Sequence, residues 1–392
     1  MTYFSGKISQ DLTYLYISRA IVYFSNGFFS MFFPIFLYKT FSENLNSVLF
    51  FYLIGALLCL ILYPLSTKHI EKFNLKNALF IATIANIFFL LTMSITTKEN
   101  IHNTIIVAIF FLTIFRLFYW LPYHTIFTTF SDQKNRMREV SAFMATMHLI
   151  GIITPLIAGI IISKTSYQTL FISGLCVYAC SLFPLISLSN VFEKYSWTYF
   201  ETWKNLCAKK YRPAMIAYFA DGIESGIGIV IWPIFVYSIL HGDYISIGAI
   251  SAATISITVL LELILGKYAD SKRNKKDMLK INSILYACGW IAKIFIVTGF
   301  HIFIIDAYHK ITNALSKGTF SAITYDISAD HGHYVDEFTV IKEMALNCGR
   351  IVLYGSTITL ASFINIEWTF LIAAIATLSV NTIRLQKSQI HH

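Results

Sequence analysis

The 392-residue chain is 56% hydrophobic and 16% aromatic but only 13% charged, about half the charged complement of a soluble globular surface. Its net charge of +9 lies in short loops between apolar runs, not on a basic face interleaved with aromatics, which argues against nucleic-acid binding. The apolar residues come in repeated runs of roughly 20, the length that about 30 Å of hydrocarbon demands of a helix.

Taken in chain order, the runs predict an all-α integral membrane protein with twelve transmembrane helices. They lie near 12–38, 46–65, 78–96, 101–124, 141–163 and 168–189, then 213–240, 244–267, 279–299, 301–325, 338–362 and 367–384. The start, MTYFSGKISQ, is polar and has no small-residue cleavage site after a short apolar run, so the first helix is expected to be retained. Residues 190–212 are basic and carry Tyr195, Trp197, Phe200 and Trp203. That mixture predicts an amphipathic linker on the cytoplasmic headgroups. It separates an N-terminal six-helix bundle (1–189) from a C-terminal one (213–392).

Orientation follows from the loop cations. With a cytoplasmic N-terminus, twenty-one Lys and Arg fall inside and only Lys39, Lys98 and Lys164 outside. The positive-inside rule then places both termini in the cytoplasm.

The chain repeats itself. Residues 23–38 read YFSNGFFSMFFPIFLY, and 218–237 read YFADGIESGIGIVIWPIFVY. The phrases are helix 1 and helix 7, the first helix of each half, so the halves read as parallel repeats about an axis along the membrane normal. A second echo is the loop after helix 8, GKYADSKRNKK from Gly266, with Asp270 four residues on and Arg273 following. The equivalent loop after helix 2 has Pro64 and Lys68 at those places.

The Gly266-to-Asp270 spacing with basic residues following resembles the loop signature of the major facilitator superfamily. Helix count, two halves and linker resemble that family over the whole chain. The resemblance implies a secondary transporter, symporter or antiporter, working by alternating access in a plasma membrane (for a bacterium, the inner membrane). Gly266, Asp270 and Arg273 would form a conformational-switch loop. Ser271 departs from the pattern, since the family usually has a base there. Helix 5, with GIITPLIAG from Gly151, resembles the Gly- and Pro-rich helix of the family's antiporters, one place out of register.

Ionisable residues inside spans are functional candidates by default. The family's cavity helices are 1, 4, 7 and 10. By that resemblance Asn26, Arg116, Trp120, Tyr123, Trp232 and Lys317 fall on cavity helices, and Arg350 lies near the midplane of helix 11; these seven are the expected solute-binding residues. Asp221 and Glu224, with Glu343, are the expected proton-coupling residues. Helix 7 begins near Pro213, so its two acids lie roughly 12–17 Å along it and share a face at i, i+3. Paired carboxyls near the bilayer centre suit proton exchange. Two readings compete with proton exchange: permanent neutralisation by Lys317 or Arg350, and a sodium site. Arg19 and Glu262 are expected to snorkel to the inner surface. Lys293 and Asp306 are expected to form a structural ion pair, with Lys310 an alternative partner at i, i+4.

No cofactor and no metal is expected. Cys176 and Cys180 stand alone at i, i+4, DHGH at 330–333 has no further ligand cluster, and there is no P-loop or nucleophile elbow. The partners implied are a small-molecule solute, a coupling ion (a proton) and the lipid bilayer, for a chain read as a monomer. A transport-inactive receptor or assembly factor on the same fold, and a membrane-embedded enzyme, are the alternatives.

Overall fold

The computed structural model describes residues 9–131, 136–266, 275–329, 335–360 and 365–382, and apart from short turns and the irregular stretch 189–198 they are helical. The elements are α1 (Gln10–Phe29), α2 (Phe32–Thr40), α3 (Leu45–Phe73), α4 (Leu75–Ser94), α5 (Ile101–Phe130), α6 (Arg136–Lys164), α7 (Tyr167–Cys180) and α8 (Leu182–Ile186). A short α9 (Tyr199–Leu206) follows. Then come α10 (Arg212–Gly226), a π-helical segment (Ile227–Ile231), α11 (Trp232–Ile239), α12 (Tyr244–Gly266), α13 (Lys275–Lys293), α14 (Gly299–Ala329), α15 (Val335–Leu360) and α16 (Thr369–Ser379).

The repeated phrase has a backbone meaning. In the first copy α1 and α2 are broken at Ser30–Met31 and bent by 42°. In the second copy the α-helix gives way to the π segment before Trp232. Each break directly precedes the proline of the shared phrase, Pro34 or Pro233. A proline lacks the N–H that would reach the carbonyl four residues back, and its ring crowds that carbonyl. The acceptor positions, Ser30 and Ile229, lie in the two breaks.

Twelve spans were expected from the sequence. Among the described residues seven helices are long and apolar enough to cross a membrane, or up to eight if the bent α1–α2 pair is one span. The physical reason for the difference lies in the second half. There α13, α14 and α15 carry Lys280 and Lys293; Asp306, Lys310 and Lys317; and Glu337, Lys342, Glu343 and Arg350. Such charges dilute the apolar signal on which hydropathy counting rests. Outward-facing Phe50, Ile106, Phe110, Phe183 and Phe295 are exposed, as expected of faces solvated by lipid tails.

The chain divides into two units, Met1–Tyr195 with Asp243–Ala252, and Ser196–Gly242 with Ala253–His392. The short stretch at 243–252 belongs to the first unit. There the Tyr244 hydroxyl accepts from Lys39 Nζ at 3.0 Å, and its ring meets Tyr167 edge-on. Within the first unit α4 packs on α5 and α7, and α1 on α6 and α7. Phe29, Phe33 and Phe36 cluster around Phe171.

In the second unit α10 packs on α15 and α16, and α13 on α14 and α16. The α10–α15 contact is backbone on backbone: a side chain at Gly222 would strike the Leu346 carbonyl, and one at Gly349 the Phe219 carbonyl. Small residues make this approach possible. Gly222 of helix 7 therefore serves helix packing.

The linker region begins without regular structure and then forms α9, closed by a capping box between Thr198 and Glu201. The Thr198 backbone N–H and hydroxyl hold the Glu201 carboxyl below its ordinary range.

Candidate functional site

In the second unit one lysine answers two acids. Asp221 and Glu224 stand one turn apart on α10, just before the π segment. Lys317, on α14, is ion-paired with Asp221, and its Nζ lies 3.0 Å from Glu224 Oε2. Glu224 also accepts a hydrogen bond from the Tyr286 hydroxyl on α13. The Glu224 side chain is 7% exposed and that of Asp221 17%, while Lys317 keeps 36%. The acids are therefore set inward and their shared cation reaches outward. These groups line a cavity of about 10 Å³ with Ser316, Phe320, Thr377 and Val380, room for about one water. The enclosed space suits a proton or a water-sized species, while Lys317 reaches outward from it.

A second charged cluster lies on the same helices. Asp306 is ion-paired at once with Lys293 (3.1 Å) and with Lys310 (2.9 Å), so the two partners weighed from sequence act together. Lys310 Nζ also donates to the Thr254 hydroxyl at 2.7 Å. The Lys293 ammonium sits 3.6 Å from the Trp232 ring centroid and 4.6 Å from that of Trp290, a cation–π arrangement. Trp232 is itself buried against Phe235 and Phe370. Buried His309 lies against Tyr286 and Trp290, at ring separations of 4.8 and 4.4 Å. Tyr286 and His309 had no signal in the sequence, because aromatic and His residues on an apolar face read as packing.

The remaining candidates of this unit stand apart. Arg350 and Glu343, both half-buried on α15, make no side-chain hydrogen bond or ion pair among the described residues; only the Glu343 backbone carbonyl is engaged, by Asn347. Lys317 is thus the cation that meets the acid pair. Gly266 is the last residue of α12, while Asp270, Arg273 and the DHGH stretch lie outside the described residues, as does the Glu262 side chain.

In the first unit Arg116 is half-buried midway along α5. Its backbone carbonyl accepts from the Tyr63 hydroxyl, and its guanidinium faces Gly55 of α3. Half-buried Asn26 engages, among the described residues, only its backbone, which receives the Ser30 N–H. Trp120 and Tyr123 do come together, and what joins them is a residue expected elsewhere. Arg19 does not snorkel. Its guanidinium carbon lies 4.8 Å from the Trp120 ring centroid, 5.2 Å from that of Tyr123 and 5.5 Å from that of Tyr119, and Nη1 donates to the Tyr119 hydroxyl at 3.1 Å. The α5 rings are stacked in pairs, Tyr119 on Tyr123 and Trp120 on His124. Three aromatic faces within reach of α1 offer a guanidinium more than a long run to the headgroups does.

Among the described residues no group of three or more His, Cys, Asp or Glu is placed to hold a metal ion.

Comparison with known proteins agrees with this architecture. The family model described as Major Facilitator Superfamily matches residues 15–213. That family is one of transporters, not of enzymes. The chain is also similar to a Bacillus subtilis (strain 168) protein described as uncharacterized protein YqgE. The two are 24% identical over 259 residues, which cover 60% of this chain and 56% of that protein.

Proposed function

The chain belongs to the major facilitator superfamily and is an integral, multi-pass membrane protein; on that premise we propose that it is a proton-coupled secondary transporter of a small organic solute, working by alternating access through twelve spans. The observation that carries this reading is the cluster of Asp221, Glu224 and Lys317. Two inward-set carboxylates share one lysine, about one-third exposed, beside a π-helical segment, and π segments recur at functional sites in helices.

A cation held by two acids is a switchable arrangement. Protonating one carboxylate loosens its hold on Lys317, and moving Lys317 away favours proton uptake by the acids. In this reading Asp221 and Glu224 carry the coupling proton, and Glu343, apart on α15, has at most an accessory part. Solute recognition is assigned to the first unit, to Arg116, Trp120, Tyr123 and Asn26, with Lys317 and Arg350 contributing from the second. Trp232, occupied by Lys293, is the weakest member of that set. Gly266, Asp270 and Arg273 are the proposed switch loop. The loop-cation asymmetry supports cytoplasmic termini, and a plasma-membrane (inner-membrane) location is proposed with it.

Uptake by proteoliposomes tests the proposal. Vesicles containing the purified protein are offered a mixed small-metabolite extract, and their contents are identified by mass spectrometry. A transporter enriches at least one solute over protein-free vesicles. A receptor or assembly factor enriches none, and an enzyme yields product without accumulation.

A further inference from the structure

The two units treat charge differently. In the second, Asp221 and Glu224 share Lys317, and Asp306 holds Lys293 and Lys310. Away from the helix ends, the described charges in the spans of the first unit are Arg19 and Arg116. The first unit's described acids lie at helix ends or in loops: Asp11 bonds Ser189, and Asp243 caps α12. Neither guanidinium meets a carboxylate among the described residues.

Arg19 is half-buried, and among the described residues its Nε is buried without a hydrogen-bond partner and one bond is made by its five N–H donors, to Tyr119. The Trp120 and Tyr123 faces offset part of its desolvation, but a cation taken out of water is fully compensated only by a charged partner with good hydrogen bonds. The balance and the open donors call for an anion. A guanidinium fork matches the paired oxygens of a carboxylate or a phosphate, and the stacked rings of α5 beside it suit a planar body.

We infer that Arg19, steadied on the Tyr119–Trp120–Tyr123 face, docks the anionic head of the transported solute, which is a small organic anion with a carboxylate or phosphate group on an aromatic or otherwise planar body. This rests on the transporter reading for its role, though binding can be measured without transport.

The test is equilibrium binding to the purified full chain, followed by thermal shift and calorimetry with four probes of common shape: benzoate, phenyl phosphate, phenol and benzylammonium. At least one of the two anions should bind about tenfold more tightly than phenol and benzylammonium, and which anion leads separates carboxylate from phosphate. Arg19→Gln should weaken that binding by about tenfold, the loss of one charge-assisted contact. Arg19→Lys should fall between, since it keeps the charge and loses the fork. Equal or tighter binding of benzylammonium, no binding of either anion, or anion affinity within about twofold of wild type in Arg19→Gln would each overturn the inference. Should the Arg19 variants not fold, the ranking of the four probes on the wild type decides it alone. Arg19-dependent anion binding without uptake in proteoliposomes would keep the anion site and remove the transporter reading. Uptake of a neutral or cationic solute, indifferent to Arg19→Gln, would do the reverse.

Discussion

Lys317 on α14 is the counter-ion of Glu224 on α10, Nζ to Oε2 3.0 Å, while it also holds Asp221 one turn earlier. One cation for two carboxylates leaves a net negative charge on this set, which a proton can cancel. Removing the lysine exposes the balance directly. Lys317→Met leaves both acids without a cation, and breaking a buried pair costs about 3–5 kcal/mol. Because Lys317 is about one-third exposed, screening reduces this to about 1–3 kcal/mol. Thermal unfolding in detergent should show that loss. Adding Asp221→Asn and Glu224→Gln to Lys317→Met should recover most of it. A triple variant no more stable than Lys317→Met would mean that the lysine acts through its packing.

Arg116 gives a different kind of test. Its guanidinium makes no hydrogen bond or ion pair among the described residues, and Arg116→Lys keeps the charge while losing the planar fork. If Arg116 takes part in solute recognition, a well-folded Lys variant should lose about tenfold in transport efficiency. Wild-type uptake by that variant would argue against recognition by the fork.

The parts of this molecule that were legible in the sequence are those written in repeats and runs. The YFSNG and YFADG phrases pointed at α1 and α10, and the second, read on to Glu224, at the two acids that meet Lys317. The break in each helix was also legible in principle, as Pro34 and Pro233 follow the phrases, the second after a spacer four residues longer. What was not legible depends on which side chains meet. Arg19 read as an inner-surface cation because its depth suits snorkelling, and nothing local announces that three aromatic faces of α5 lie opposite. Tyr286 looked like one more aromatic in an aromatic-rich chain. The count of twelve remains a proposal for a related reason: the charges that make α13, α14 and α15 interesting are those that weaken their hydropathy as spans.

The α10–α15 contact predicts a steric effect. A methyl at Gly349 would land on the Phe219 carbonyl, and backbone cannot give way as a side chain can. Gly349→Ala should therefore destabilise the fold by about 1–3 kcal/mol, the usual cost of overpacking. A thermal midpoint equal to wild type would mean that the two helices separate freely.

Asp243 predicts a pH effect outside the membrane. Its Oδ1 accepts from the backbone N–H groups of Ile245 (3.1 Å) and Ser246 (3.3 Å), and its Oδ2 accepts from the Ser246 hydroxyl (2.6 Å), capping α12. The Ser246 bonds hold its carboxyl below the ordinary value. A depressed carboxyl contributes stability above its unfolded value and loses it as pH falls through the folded one. Asp243→Ala should cost about 1 kcal/mol at neutral pH, and the gap to wild type should close on acidification. A gap that persists in acid would mean that the charge plays no part in the cap.

The measurement closest to the central claim follows solute and proton together. Proteoliposomes carrying a lumenal pH dye are given a proton gradient and the solute identified by the uptake experiment. Wild-type vesicles should accumulate that solute against its gradient while the lumenal pH changes with it. Asp221→Asn and Glu224→Gln, each alone, should abolish accumulation and leave solute exchange largely intact. Accumulation under the proton gradient by both variants would contradict the assignment of coupling to these two acids.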